Sequence, residues 1–424
     1  MLSRNYFRGK KVTIVGLARS GLACANLLFD LGAKVRITDN QDSSAVRTNA
    51  AQLRSADIKV ELGRHTREFI KGSDLVVVSP GVTDASPALA WAKELHIPAI
   101  SEIEVGWLVC PAPIIAVTGS SGKTTVTTLI GKVIEASGKK AFVCGNIGNP
   151  FCGEVAKVSP HDYVCLEISS FQLERIVTFM PKIAVMLNFS RNHLDRHKDM
   201  QEYLDAKKRI FMNQDKNDFL VLNAADPAIK ALAKETAAKA VYFSEGDGLN
   251  PNQAAVAAVA AILGINKQVC LKVFSEFKGL EHRFEYVAEI NGVKFINDSK
   301  ATVAESTVWA LKNIPSSVIL IAGGRDKGVD YSGILEAAAG KVRAVILIGE
   351  AKEKISQQLS GTLAVKQAAD LKDAVNEAFA LSSSGDYVLL SPMCSSFDMF
   401  ANYEERGKAF KEIVFDLAKS IAIR

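Results

Sequence analysis

No C-x-x-C pair occurs in the chain, and its seven cysteines (Cys24, Cys110, Cys144, Cys152, Cys165, Cys270 and Cys394) are odd in number. That argues against a disulfide framework. Cys24, Cys110 and Cys165 stand among apolar neighbours, which predicts buried thiols in a reducing compartment. Residues 1–8 are polar and lack the apolar core of a secretory leader. The most apolar long run, 254–265, is too short and too alanine-rich to cross a bilayer. Together these absences predict a cytoplasmic protein without membrane insertion. Lys and Arg never gather into a block, and 51 basic against 46 acidic residues leave a net charge of only +5. Nucleic acid is therefore not an expected partner, whereas a polyanionic small substrate is compatible. Short-period repeats and low-complexity linkers are also missing.

What is present suffices for several cores. The 424 residues are 48% hydrophobic and 23% charged. Domains of roughly 100–200 residues imply about two to four of them. The first stretch reads β-α-β: a strand at 12–15, a turn at 16–21, a helix at 20–31 ended by Gly32, and a strand at 34–38 closed by Asp39. A further strand at 74–79 runs into Pro80-Gly81. Pro111 and Pro113 open a second unit, with strands at 114–117, 163–167, 183–187 and 219–222 and an apolar helix at 254–263. After a boundary near Gly279-Leu280, strands at 294–296, 317–322, 344–348 and 387–390 alternate with helical patterns. The prediction is three α/β domains: a Rossmann-like 1–101, a P-loop ATPase-like 102–280 and a Rossmann-like 281–424. Substrates are expected in the clefts of such an array.

The strongest local signal is Thr118-Gly119-Ser120-Ser121-Gly122-Lys123-Thr124-Thr125, between an apolar strand and a helix. Glycines let backbone N–H groups converge on a phosphate, and the helix start adds its positive dipole end. Lys123 is placed for β/γ-phosphates and the Thr124 hydroxyl for magnesium. The usual spacing puts a glycine where this chain has Val117, so the alternative is a glycine turn that happens to contain Lys-Thr. Glu167 ends a strand beside this loop, as a magnesium carboxylate or as a solvated strand end. His193-Leu194-Asp195-Arg196-His197 reads as a metal cluster, a substrate clamp or a solvated turn. On the helix around Asp205, Tyr203, Lys207 and Ile210 share one face, and Leu204, Lys208 and Phe211 share the next. Periodicity does not choose between the two lysines, and a basic exposed stripe is the simpler reading. Near the start, Gly16-x-Ala18-x-x-Gly21 with Asp39 resembles the dinucleotide fingerprint with its central glycine replaced by Ala18. It suits a UDP group as well as NAD.

Further runs complete the set. They are Gly145-Asn146-Ile147-Gly148, Leu166-Glu167-Ile168-Ser169-Ser170-Phe171-Gln172-Leu173-Glu174 and His282-Arg283-Phe284-Glu285. Asn297-Asp298-Ser299-Lys300-Ala301-Thr302, Gly323-Gly324-Arg325-Asp326-Lys327-Gly328 and Ser391-Pro392-Met393-Cys394-Ser395-Ser396-Phe397-Asp398 follow. In this order the segments resemble the Mur ligase family over nearly the whole chain. The Ser-Ser-Phe-Gln-Leu-Glu run and Ser395-Ser396-Phe397-Asp398 resemble the member that adds D-glutamate to UDP-N-acetylmuramoyl-L-alanine. So does the lack of the Asp-Asn-Pro-Arg motif of the diamino-acid-adding member.

The resemblance implies ATP as a substrate, magnesium (two ions), an acyl-phosphate intermediate and a monomer. It implies that Lys207 is carried as a carbamate. CO2 attacks only a neutral amine, so the lysine must titrate below its free value of about 10.4. Neighbouring Lys208, Arg209 and bound metal are expected to push it there. Glu167 and His193 match metal and substrate positions; Lys123, Thr124 and Asn146 match ATP-side residues, beside Gly119, Ser120, Ser121, Gly122 and Thr125. Arg283, Asp298 and Lys300 match residues reaching the nucleotide, and Thr302, Lys327, Ser396 and Phe397, with His193, match the D-glutamate positions. Arg19, Ser20, Asp39, Asn40, Ser79, Gly81 and Asn146 fall on the UDP-substrate side. Val303 stands where the family often has asparagine, and 222–254 is shortened and lacks a His-Asn element, leaving Asn250 or Asn252 for the nucleotide. Competing readings are folylpolyglutamate synthetase, an NAD(P) oxidoreductase on the Gly16 turn, and a nucleotide-dependent switch. The first has no N-terminal UDP domain to match 1–100, and the second leaves 118–125 unexplained.

Overall fold

The computed structural model describes residues 4–190, 196–326 and 328–422. Short apolar runs such as Leu75–Val78 and Ile183–Met186 are buried along their whole length, as strands covered on both faces must be. Five parallel strands form the first sheet: β1 (Lys11–Val15), β2 (Lys34–Asp39), β3 (Lys59–Leu62), β4 (Leu75–Val78) and β5 (Ala99–Ser101), in the order β3-β2-β1-β4-β5. Six parallel strands form the second: β6 (Ile114–Thr118), β7 (Ala141–Gly145), β8 (Tyr163–Glu167), β9 (Ile183–Met186), β10 (Phe219–Asn223) and β11 (Lys239–Phe243), in the order β11-β10-β9-β6-β8-β7. The third holds β12 (Glu285–Ile290), β13 (Val293–Asn297), β14 (Val318–Gly323), β15 (Val342–Ile348), β16 (Val365–Gln367) and β17 (Tyr387–Leu390), in the order β12-β13-β17-β14-β15-β16. Only its β12–β13 hairpin is antiparallel.

The chain divides into two units, Met1–Phe277 and Lys278–Arg424. In the first, one apolar cluster runs from Val12, Leu28 and Ile37 of the first sheet's layer through Ile103 and Phe151 to Leu166 and Leu220 of the second. Two carboxylates stitch that seam from the helix Glu102–Val109. Glu104 accepts the N–H groups of Val177, Thr178 and Phe179 at 2.9, 2.7 and 3.0 Å. Glu102 accepts the Cys152 N–H at 2.6 Å, and burial pushes it up to about 7. In the second unit, apolar clusters lie on both faces of the third sheet, around Leu320 and Leu389 on one side and Phe295 and Leu390 on the other.

Parallel sheets of this kind bind ligands beyond the strand C-termini, where consecutive connections leave in opposite directions. In the second sheet that place is β6, since the chain returns to it as β8 on one side and β9 on the other.

Candidate active site

The loop after β6 turns on two glycines with φ of +156° at Gly119 and +77° at Gly122, a backbone only glycine adopts readily. Space is equally short there: a Cβ on Gly122 would lie 2.5 Å from Asn252 Oδ1. Gly122 also forms the N-cap of the helix Lys123–Ala136 without a side-chain cap, so the positive end of that helix's dipole opens onto the loop. Asn188, just past β9, holds the loop in shape: its carbonyl accepts the Ser120 N–H at 3.1 Å and its Oδ1 the Ser121 N–H at 2.9 Å. The Ser120 hydroxyl donates to Ser190 O and accepts the Ser190 N–H, so it braces the loop. Lys123 Nζ donates to Gly119 O and Ser120 O at 2.9 and 3.1 Å, inside the loop. Thr124 is buried and Thr125 half-buried in the first helical turn.

Register places Glu167 opposite Val117, one residue short of the loop. Its Oε1 accepts from Asn146 Nδ2 at 2.7 Å, while its Oε2 is buried with no hydrogen-bond partner. The Thr118 hydroxyl oxygen, at the end of β6, is in the same condition. Buried oxygens without partners are costly unless a ligand or cation completes them. Among the described residues no three His, Cys, Asp or Glu side chains gather around an ion. One carboxylate with hydroxyl and phosphate oxygens is a donor set that suits magnesium, which keeps its waters and shares substrate phosphates.

The helix Met200–Lys208 resolves the two lysines. Tyr203, Lys207 and Ile210 are buried on one face. Lys207, 1% exposed, donates from Nζ to Gly119 O at 2.9 Å and lies 4.5 Å from the centre of the Tyr203 ring. Burial, and next the Lys123 charge, hold its ammonium well below the ordinary lysine range. Lys208, one step of about 100° around the helix, pairs instead with Glu235 and Asp205 and is raised by those bonds. Arg209 donates to Leu173 O and Ile176 O. The push on Lys207 therefore comes from burial and Lys123 rather than from its sequence neighbours. His197 is buried, bonded to Ser170 Oγ at 2.9 Å and packed on Phe171 and Tyr203, a core position. His193 and the rest of 191–195 lie outside the described residues, as does Lys327.

A second glycine turn follows β1. Gly16 has φ +98°, and a Cβ there would meet Ser79 Cβ at 2.9 Å. Asp39 is spent on the backbone, accepting the N–H groups of Leu17 at 2.7 Å and Gln41 at 2.9 Å. The Ser79 hydroxyl donates to Gly16 O at 2.9 Å. The helix Arg19–Asp30 starts without a side-chain cap, with Ser20 in its first turn. Arg19 donates to Gly148 O, which brings the Asn146 loop to this turn. Asn40 and Gly81 are exposed on the neighbouring strand ends.

In the Lys278–Arg424 unit, Asp298 follows β13 and accepts the Phe284 N–H at 3.1 Å and the Ser391 hydroxyl at 3.0 Å. Burial pushes it up to about 7, against the pull of these bonds and of Arg283. Lys300 lies 5.0 Å from the Tyr403 ring centre, and its N–H bonds His282 O. Thr302 follows in the same loop, its N–H on Lys300 O, and Ser396 is buried at the end of the segment after β17. Phe397 is 63% exposed. Beneath these loops Arg406, fully buried, donates to Ser299 O, Ser299 Oγ and Cys394 O. Asn188, Tyr403 and Arg406 escape sequence reasoning because an isolated Asn, Tyr or Arg carries no periodic or spacing signal.

Comparison with known proteins supplies a family. Residues 10–101 match the Mur ligase MurD-like N-terminal domain, 117–278 the Mur ligase middle domain, and 282–394 the Mur ligase glutamate ligase domain. The chain is 42% identical over 442 residues to the UDP-N-acetylmuramoylalanine–D-glutamate ligase of Geotalea uraniireducens, covering 96% of this chain and 98% of that protein. It is 37% identical over 445 residues to the enzyme of the same name from Caldanaerobacter subterraneus, covering 97% and 99%. Among solved structures, the UDP-N-acetylmuramate–alanine ligase of Thermotoga maritima superposes with a TM-score of 0.60 at 18% identity, covering 96% of this chain and 99% of that one. At that identity the likeness speaks to fold.

Proposed function

This chain belongs to the Mur ligase family, and on that premise we propose that it joins D-glutamate to UDP-N-acetylmuramoyl-L-alanine, with ATP cleaved to ADP and phosphate, in peptidoglycan precursor synthesis. The substrate assignment leans on the nearly full-length likeness to D-glutamate ligases. The chemistry leans on one observation: a buried lysine bonded to a glycine loop at a helix start, with a buried carboxylate oxygen without a partner on the neighbouring strand end. The MurD-like match over 10–101 disfavours folylpolyglutamate synthetase.

A carboxylate is a poor electrophile, so the substrate carboxylate first attacks the γ-phosphorus and ADP leaves. The D-glutamate amine then attacks the acyl phosphate, inorganic phosphate departs, and the amine proton goes to solvent or a base. Phosphoryl transfer of this kind is governed by positioning and charge stabilisation. The N–H groups of 119–125 and Lys123 bind and orient the phosphates. Glu167, Thr124 and a carbamylated Lys207 would hold two magnesium ions, and we assign His193 to the metal and D-glutamate set on the family resemblance alone. Magnesium, when bound, neutralises phosphate charge. The carbamate forms when neutral Lys207 adds to CO2 and loses a proton, turning a cation site into an anion with two oxygens. Asn146, Arg19, Ser20, Asp39, Asn40, Ser79 and Gly81 take the UDP substrate. Arg283, Asp298 and Lys300 serve the nucleotide; Thr302, Lys327, Ser396 and Phe397 take D-glutamate. Of Asn250 and Asn252 we assign the nucleotide contact of the shortened 222–254 stretch to Asn252, an assignment supported by its closeness to Gly122. We place the enzyme in the cytoplasm as a monomer, in keeping with seven buried cysteines and no disulfide.

The test is ADP release with UDP-N-acetylmuramoyl-L-alanine and each amino acid in turn. Stimulation by D-glutamate and not by L-glutamate or L-alanine is expected; equal response to all three refutes the substrate assignment. Lys207→Ala should lose at least about a hundredfold in rate, with partial recovery in added formate or acetate. Full activity in Lys207→Ala together with loss in Lys208→Ala would reject the carbamate.

A further inference from the structure

Arg196 takes no part in that reaction. Its side chain is 16% exposed, and Nη2 donates to Glu174 Oε2 at 2.9 Å. Nη1 donates to Pro80 O at 2.9 Å and Nη2 also to Val82 O at 3.2 Å. The guanidinium lies 4.6 Å from the centre of the Phe171 ring. One side chain thus joins two strand-end segments: the loop 80–82, after β4 of the first sheet, and residues 171–174, in and just after the short helix Ser170–Leu173 that follows β8 of the second. A second tie reinforces the first, since Arg175 pairs with Asp84 and its carbonyl accepts the Ser101 N–H at 2.9 Å. The clamped loop begins at Ser79, which is bonded to the Gly16 turn. The clamping turn begins two residues beyond Glu167.

We propose that Arg196 is a positioning residue for the UDP-linked substrate, fixing the distance between the turn that takes its diphosphate and the site that takes its carboxylate. The proposal rests on the ligase reading, because only there do these two loops hold opposite ends of one molecule. A substrate anchored at both ends reacts only if its carboxylate reaches the phosphoryl group, and a displacement of about 1 Å can cost a hundredfold. Arginine suits this position because its planar fork serves two carbonyls and a carboxylate at once, and the aromatic face below keeps the fork in plane. A lysine at the same place has a single nitrogen and cannot reach all three acceptors.

The experiment compares full-length wild type, Arg196→Ala and Arg196→Lys by KM for UDP-N-acetylmuramoyl-L-alanine, KM for ATP, kcat and Tm. In Arg196→Ala the KM for the UDP substrate should rise about tenfold or more while the KM for ATP stays within about twofold. Arg196→Lys should keep the wild-type Tm within about 2 °C yet fail to restore that KM. An unchanged UDP-substrate KM in both variants, with any loss confined to Tm or to the amount of active enzyme, overturns the proposal. If wild type itself shows no D-glutamate-dependent ADP release, the ligase reading fails separately. Calorimetric titration of UDP-N-acetylmuramoyl-L-alanine into wild type and Arg196→Ala then decides this one. A weaker Kd in the variant upholds the clamp, and equal Kd values, or no binding by wild type, reject it.

Discussion

Burial opposes the charge of Lys207 and of Asp298, and each carries a prediction. Lys207 is held well below its ordinary range. A group depressed in this way lends stability only above its unfolded value of about 10.4 and loses it as pH falls. At neutral pH it therefore costs stability. Lys207→Met should be inactive yet more stable, by about 1–3 kcal/mol in bicarbonate-free buffer at pH 7. The Gly119 carbonyl would keep its bond from Lys123. A melt in which Lys207→Met unfolds below wild type would contradict this. Asp298 is shifted the other way, up to about 7. Its contribution is fully present below the unfolded value of about 3.9 and is lost as pH rises towards 7. Wild type should lose stability across that window, and Asp298→Asn should flatten the decline while impairing ATP use. Parallel Tm-against-pH curves for the two proteins would disprove the assignment. The shift at Asp298 was not legible in the sequence, and the depression at Lys207 was expected only through the family resemblance, since Lys207 and Lys208 are equivalent by periodicity. What separates them is the face that meets the glycine loop, a tertiary fact.

The strands visible in the sequence are the central ones. Six were missed, β3 and β5, β7 and β11, β12 and β16, and each is an edge of its sheet. The physical reason is plain in Lys59–Leu62 and Val365–Gln367, which contain no fully buried residue. A central parallel strand is covered on both faces and leaves an apolar run; an edge strand is half-solvated and leaves none. The phosphate loop was legible because its glycines answer a backbone demand, φ +156° and +77°, that sequence records directly. The seam between the first two sheets was not, since the two carboxylates that stitch it, Glu102 and Glu104, carry no spacing signal. Glu104→Ala would leave three N–H groups without acceptors. A loss of about 3–5 kcal/mol is expected, measured by urea unfolding. A change under about 1 kcal/mol would show that water replaces the carboxylate there.

At the scale of the molecule, sequence reasoning drew three domains with borders at 101/102 and 280/281. Cores, rather than sheets, decide what folds alone. The Lys278–Arg424 unit has apolar clusters on both faces of its sheet, so a 278–424 fragment should melt cooperatively by circular dichroism. A fragment of 102–277 would bare Ile103, Phe151 and Leu166, which share one cluster with Leu28 and Val12. Each large apolar side chain so exposed forfeits about 1.5–3 kcal/mol. That fragment should aggregate or bind a hydrophobic dye; a soluble, cooperatively melting 102–277 would overturn this. The buried cysteines offer a way to watch both units in the intact chain. Six of the seven precede residue 278, and Cys394 alone belongs to the later unit. A thiol-specific alkylating reagent should leave the native protein unlabelled, and in rising urea the labelled positions, read by peptide mass, become a clock for each half of the chain.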